Sequence, residues 1–234
     1  MSILASLSII ALAALIHASF QLSISVLTLL SGHAIGARHS RARVLKLTSS
    51  FIAGAVIMTL LLLATLSLVI LNLFGGDAPQ IVWASASGLM IGVGVAVWLY
   101  YYRKEQGTSL WIPRSIALFL TKRTKATKQS AESFSLGMMS VVGELLFIIA
   151  PLLLSALVLV QLPAVWQLFG ILTYAFISAI TLFSVWVLIG SGHKLSRIQK
   201  WREENKGFLQ FAAGAGLIIL AIFTYVFKIV GNGF

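Results

Sequence analysis

Residues 134–160 read FSLGMMSVVGELLFIIAPLLLSALVLV, an apolar run interrupted by one charged side chain, Glu144. A helix needs about 20 apolar residues to cross a hydrocarbon core about 30 Å thick, so this stretch is long enough to span a membrane. A carboxyl at that depth costs several kcal/mol unless it is protonated, paired or facing a water-filled cavity. The stretch therefore fixes the class of fold and names a first candidate for function.

Outward from it, comparable runs occupy residues 3–31, 47–74, 80–102, 164–190 and 207–230. With 59% apolar and 10% charged residues among 234, the solvent for most of the chain is lipid. The expectation is an all-α integral membrane protein with six transmembrane helices. The opening MSILASLSIIALAALIHASF has no basic segment before its apolar run and continues into more apolar sequence, so it reads as a first span rather than a cleaved signal. The absence of cysteine excludes disulfides, thiolate metal sites and thiol redox chemistry by the protein's own side chains.

A net charge of +11 would suggest nucleic acid in a soluble protein, but here the cations sit in short segments between apolar runs, and no nucleic-acid partner is expected. Arg38, Arg41, Arg43 and Lys46 follow the first span; Arg103, Lys104, Arg114, Lys122, Arg123, Lys125 and Lys128 follow the third; Lys194, Arg197, Lys200, Arg202 and Lys206 follow the fifth. Only Lys228 remains for the other side, where the connections LFGGDAPQ and QLPAVW carry no Lys or Arg. By the positive-inside rule both termini face outward, in a plasma (inner) membrane, with the basic loops available to anionic lipid. Trp83, Trp98, Tyr100, Tyr101, Tyr102, Trp166 and Trp201 lie near span ends and read as interfacial anchors.

Residues 103–133 form a basic connection between two units, 1–102 and 134–234. Within it Trp111, Ile112, Ile116, Leu118, Phe119 and Leu120 precede a basic run, as in a helix lying at the membrane surface; a solvated linker is the plainer alternative. The two units resemble each other. SASGLMIGVGVAVWLYYYR in the third span matches FAAGAGLIILAIFTYVFK in the sixth, with Gly88 on Gly214. Placing His17 on Glu144 brings Leu7 onto Phe134, Phe20 onto Phe147 and Ile24 onto Pro151. Two similar units of three crossings must insert with opposite orientation, which gives a 3+3 inverted repeat.

These features resemble the lysine-exporter (LysE) superfamily in the broad sense. That group includes cadmium and metal exporters and the membrane part of reductant conductors of the DsbD and CcdA type. The resemblance is architectural and covers nearly the whole chain. In the reductant conductors the first helix of each half carries a cysteine followed closely by proline, whereas the corresponding stretches here read LIHASFQLSISV and VGELLFIIAPLLL. Without thiols only the scaffold is implied. The histidine-and-aspartate runs of nickel and cobalt exporters are missing too, so no family binding residue carries over.

Chemistry is then expected from a few side chains. Glu144 comes first; its plainer role is a protonated carboxyl bonding two helices. Gly143 and Pro151 flank it and would let the helix bend or unwind. His17, whose imidazole changes charge near neutral pH, lies within the first span, with Glu144 or a backbone carbonyl as partner. His17, Gln21, Ser25 and Thr28 recur at helical spacing as one polar stripe, lining a cavity or forming ordinary interhelical bonds. His33, His39 and His193 fall in or beside basic connections and read as surface residues. Gly88, Gly92, Gly94, Gly214 and Gly216 read as close-packing positions.

The leading expectation is a secondary exporter of a small polar solute or cation, proton-coupled through Glu144, with Glu144, His17, Gln21, Ser25 and Pro151 at its site. A non-transporting scaffold binding lipid or another membrane protein is the alternative, and a quinone-linked redox protein a more distant one. No triad, nucleophile elbow or zinc-protease motif occurs, so neither enzymatic activity nor a resident cofactor is expected; a homo-oligomer is left open.

Overall fold

The structure is a computed structural model that describes residues 2–20, 22–36, 40–100, 114–191 and 195–231. Every regular element among these residues is helical: α1 (Ile3–Ser19), α2 (Leu22–Gly36), α3 (Arg41–Phe74), α4 (Gln80–Tyr100), α5 (Arg114–Ala126), α6 (Ser130–Gly143), α7 (Leu145–Leu159), α8 (Ala164–Ser178), α9 (Ile180–Gly190) and α10 (Leu195–Tyr225), which closes in a π-helical turn, Val226–Val230. The protein is therefore an all-helical, membrane-embedded one. Three stretches, Arg41–Phe74, Gln80–Tyr100 and Lys200–Val230, are each long and apolar enough to cross a bilayer. The other three apolar runs are bent pairs: α1 and α2 at 48°, α6 and α7 at 81°, and α8 and α9 at 47°. The spans thus number three, or six if each bent pair crosses once.

Local chemistry sets the ends. The Ser40 hydroxyl accepts from the Arg43 N–H at 3.4 Å to start α3. Gly75, at φ 68°, ends that helix by donating its N–H to the Leu71 carbonyl at 2.8 Å. Glu132 reaches back to the N–H groups of Lys128 and Gln129 at 2.7 and 3.0 Å, fixing the entry into α6.

α7 is the centre of the bundle, with Ile148, Leu152, Leu154 and Leu157 wholly buried. It packs against α1, α3 and α4, while α1 also packs on α8 and α10. The tightest crossing joins α3 and α6. A Cβ on Gly54 would collide with the Phe134 carbonyl, and one on Gly137 with the Phe51 carbonyl. A second crossing joins α4 and α10, where a Cβ on Gly94 would lie 3.0 Å from the Gly214 carbonyl and one on Gly214 2.8 Å from that of Gly94. Gly88 and Gly92, expected to serve the same purpose, face open space. Close packing therefore uses Gly94 and Gly214 together with Gly54 and Gly137.

Two of the expected anchors also make contacts within the bundle. Trp83 is buried, with the Lys228 ammonium 4.8 Å from its ring centroid. The Trp98 indole stacks on Phe211 and donates to the Phe211 carbonyl at 3.0 Å, tying α4 to α10. Both rings serve helix contacts, because each meets a partner able to engage its π face or its N–H. The basic connection contains a helix, α5, packed on α2 and α6 with Leu120 buried. Its expected Trp111 and Ile112, like Tyr101 and Tyr102, lie outside the described residues.

Candidate functional site

The first apolar run does not continue as one helix. Ser19 turns its hydroxyl onto the Ile16 carbonyl at 2.6 Å, Phe20 is extended, and α2 restarts at Leu22. The expected stripe of His17, Gln21, Ser25 and Thr28 is therefore divided: His17 ends one helix, while Ser25 and Thr28 belong to the next. Thr28 spends its hydroxyl on the Ile24 and Ser25 carbonyls of its own helix. Gln21 lies outside the described residues.

A restarting helix leaves its first N–H groups without partners from its own helix, and their dipoles favour a negative charge. Glu144 supplies it. Its Oε1 accepts the Leu22 N–H at 2.6 Å and its Oε2 accepts the Ser23 hydroxyl at 3.1 Å. Ser23 lies 3.1 Å from the Ser140 hydroxyl, which in turn donates to the Gly137 carbonyl at 2.7 Å. The carboxyl thus caps a helix more than a hundred residues earlier in the chain, inside the protein, where it is 2% exposed. Glu144 also sits at the sharp break between α6 and α7. Gly143 makes room there: a side chain at that position would press on Leu22 and Ile116.

His17 does not use Glu144 as its partner. Its Nδ1 lies 3.1 Å from the Tyr174 hydroxyl of α8, both groups buried. Beside it Thr181, just past the break between α8 and α9, donates to the Ala18 carbonyl at 3.1 Å. Ser25 accepts from the Arg202 guanidinium at 2.8 Å. Arg202 is only 3% exposed, turned inward from the basic cluster that was expected to mark a surface. Pro151 is buried inside α7; the bend falls at Glu144 instead.

His17 and Glu144 meet across a cavity of about 20 Å³, also lined by Phe20, Ser23, Thr59 and Thr181. That volume admits about one water molecule. Ala179, at the third break, lines it as well, so the interruptions of all three bent pairs border one small polar space. Among the described residues no three His, Asp or Glu side chains come together as a metal site.

Sequence reasoning found Glu144 and His17 but missed Tyr174, Ser23, Ser140 and Arg202. Tyr174 carried a signal, a tyrosine in the middle of an apolar run rather than at its end. Arg202 carried none, since nothing in WREENK separates it from neighbouring cations.

Fold and site together define a membrane-embedded helical protein whose broken helices enclose a polar cavity. No family model matches the chain, nor does any curated protein or solved structure.

Proposed function

We propose that the protein is a secondary transporter of a small polar solute or cation, built as six spans in a 3+3 inverted repeat. The observation that carries this reading is the convergence of three helix breaks on a cavity bordered by His17 and Glu144. Discontinuous helices with polar termini turned to a central space are how membrane proteins bind polar cargo away from lipid. The packing supports the repeat. α1 against α8 has its counterpart in α6 against α3, and α4 crosses α10. Phe20 and Phe147, equivalent in the two halves, stack with centroids 5.8 Å apart, as residues near a pseudo-twofold axis should.

In this reading the one-water cavity belongs to an occluded state, and transport requires it to widen as one half rocks against the other. Glu144 is the coupling group. When protonated it no longer supplies a negative charge to the α2 N-terminus, which weakens the link between the halves. An ionised Glu144 restores that link or compensates a bound cation. The architectural resemblance to the lysine-exporter superfamily agrees with this scheme. The basic loops face the cytoplasm, α5 lies at that surface, and the termini lie outside.

A second reading, a non-transporting scaffold, is favoured by one observation: both Glu144 oxygens are already engaged in a closely packed interior. Thermal stability in detergent, with and without amino acids, divalent cations, thiols and quinones, separates the two. A ligand at 100 times its dissociation constant stabilises by about 2.7 kcal/mol. The transporter reading expects a ligand-induced shift in the wild type that Glu144→Gln abolishes. In proteoliposomes, a folded Glu144→Gln variant that kept full pH-dependent transport would overturn the coupling role.

A further inference from the structure

Beside the bundle, α5 and α6 enclose a groove of about 320 Å³ that transport does not use. Its apolar wall is Phe119, Leu136 and Met139; its polar wall is Arg123, Thr127 and Ser135. We propose that this groove is a binding site for one anionic phospholipid. Phe119 and Met139 are 42% and 44% exposed, a surface that in a membrane-embedded chain meets acyl chains rather than water. The Arg123 guanidinium lies 5.6 Å from the Phe119 ring centroid, so cation and apolar wall are adjacent, as a phosphodiester above its hydrocarbon tail requires.

Glu132 also lines the groove, and its carboxylate is held by the Lys128 and Gln129 N–H groups at 2.7 and 3.0 Å. Arg123 shares the groove with that one acid, and Lys122, Lys125 and Lys128 are its neighbours along the chain, so the local charge is net positive and favours an anion. The Thr127 hydroxyl donates to the Arg123 carbonyl at 2.8 Å, and its oxygen retains acceptor capacity toward a headgroup hydroxyl. Because α5 also packs against α2, the helix capped by Glu144, a lipid seated here would brace the wall of the central site. The proposal rests on α5 lying at the membrane surface, as proposed above, but not on transport, so the two can fail separately.

The test is native mass spectrometry of the delipidated full-length protein in detergent, offered equal phosphatidylglycerol and phosphatidylcholine with identical chains. The wild type should retain one phosphatidylglycerol in preference. Arg123→Gln should weaken that retention about fivefold, the worth of one well-placed cation. Met139→Trp, which fills the apolar wall, should reduce retention of both lipids. Lys122→Gln, the same charge change outside the groove, should stay near wild type. Unchanged melting temperatures in lipid-free detergent would show that the variants fold. Equal losses in Arg123→Gln and Lys122→Gln would mean diffuse surface attraction and overturn the site. Competition by inorganic phosphate as effective as that by the lipid would also overturn it, in favour of a phosphate site.

Discussion

The two broken helices α1–α2 and α6–α7 were aligned by sequence as equivalents, yet they are not held in the same way. The first bends by 48° at an extended Phe20, and its restarted half is capped from outside, by Glu144. The second bends by 81° at Glu144 itself, and the Glu144 carbonyl accepts the Phe147 N–H at 2.9 Å as α7 begins. The residue that interrupts one helix thus stabilises the interruption in the other. Stretches that align in sequence need not contribute similar chemistry, and a single buried carboxyl can serve both breaks at once.

The comparison can be broken most forcefully at the crossing of α3 and α6. In Gly137→Ala the new Cβ meets the Phe51 backbone, which cannot move aside as a side chain would, so α3 and α6 must separate. A loss of about 3 kcal/mol is expected, read from denaturant unfolding in mixed micelles. Gly88→Ala is the control: its Cβ meets nothing, and stability should hold or rise by up to about 1 kcal/mol.

A smaller effect isolates the cap. Glu144→Ala leaves the Leu22 N–H and the Ser23 hydroxyl without their carboxylate partner and should cost about 2 kcal/mol in the same unfolding assay. Hydrogen exchange should rise first at the start of α2, while the α4–α10 crossing stays protected. Uniform exchange across the bundle would instead mean that Glu144 holds the whole fold and that the two breaks are not separately maintained.

The smallest effect sharpens the contrast from the His17 side. Tyr174→Phe removes the hydroxyl beside the His17 imidazole and should cost about 0.6 kcal/mol, ordinary for a hydrogen bond between membrane helices. A loss as large as that of Glu144→Ala would place the two polar contacts on an equal footing.

Much of the fold was legible because hydropathy is summed over whole segments. The six apolar runs coincide with the three long helices and the three bent pairs, and the helix expected between residues 103 and 133 is α5. The bends were less legible. Gly143 and Pro151 announced flexibility near Glu144, but the chain turned beside the glycine and ran straight through the proline, whose missing N–H did not break α7. At Ala179 no glycine or proline marks the turn, and the bend is accompanied by the Ser178 and Thr181 hydroxyls taking backbone carbonyls.

By itself the sequence determined that the chain is helical, that it belongs in a membrane, and that Glu144 and His17 are polar groups set within its apolar runs. Each conclusion follows from the free energy of moving a segment or a side chain out of water, which depends on composition and length alone. Only the tertiary structure decided that Glu144 caps α2, that His17 turns to Tyr174, and that Arg202 leaves the basic surface for Ser25. A buried polar group must find a partner, but which one it finds depends on the elements brought alongside it, and packing alone fixes that.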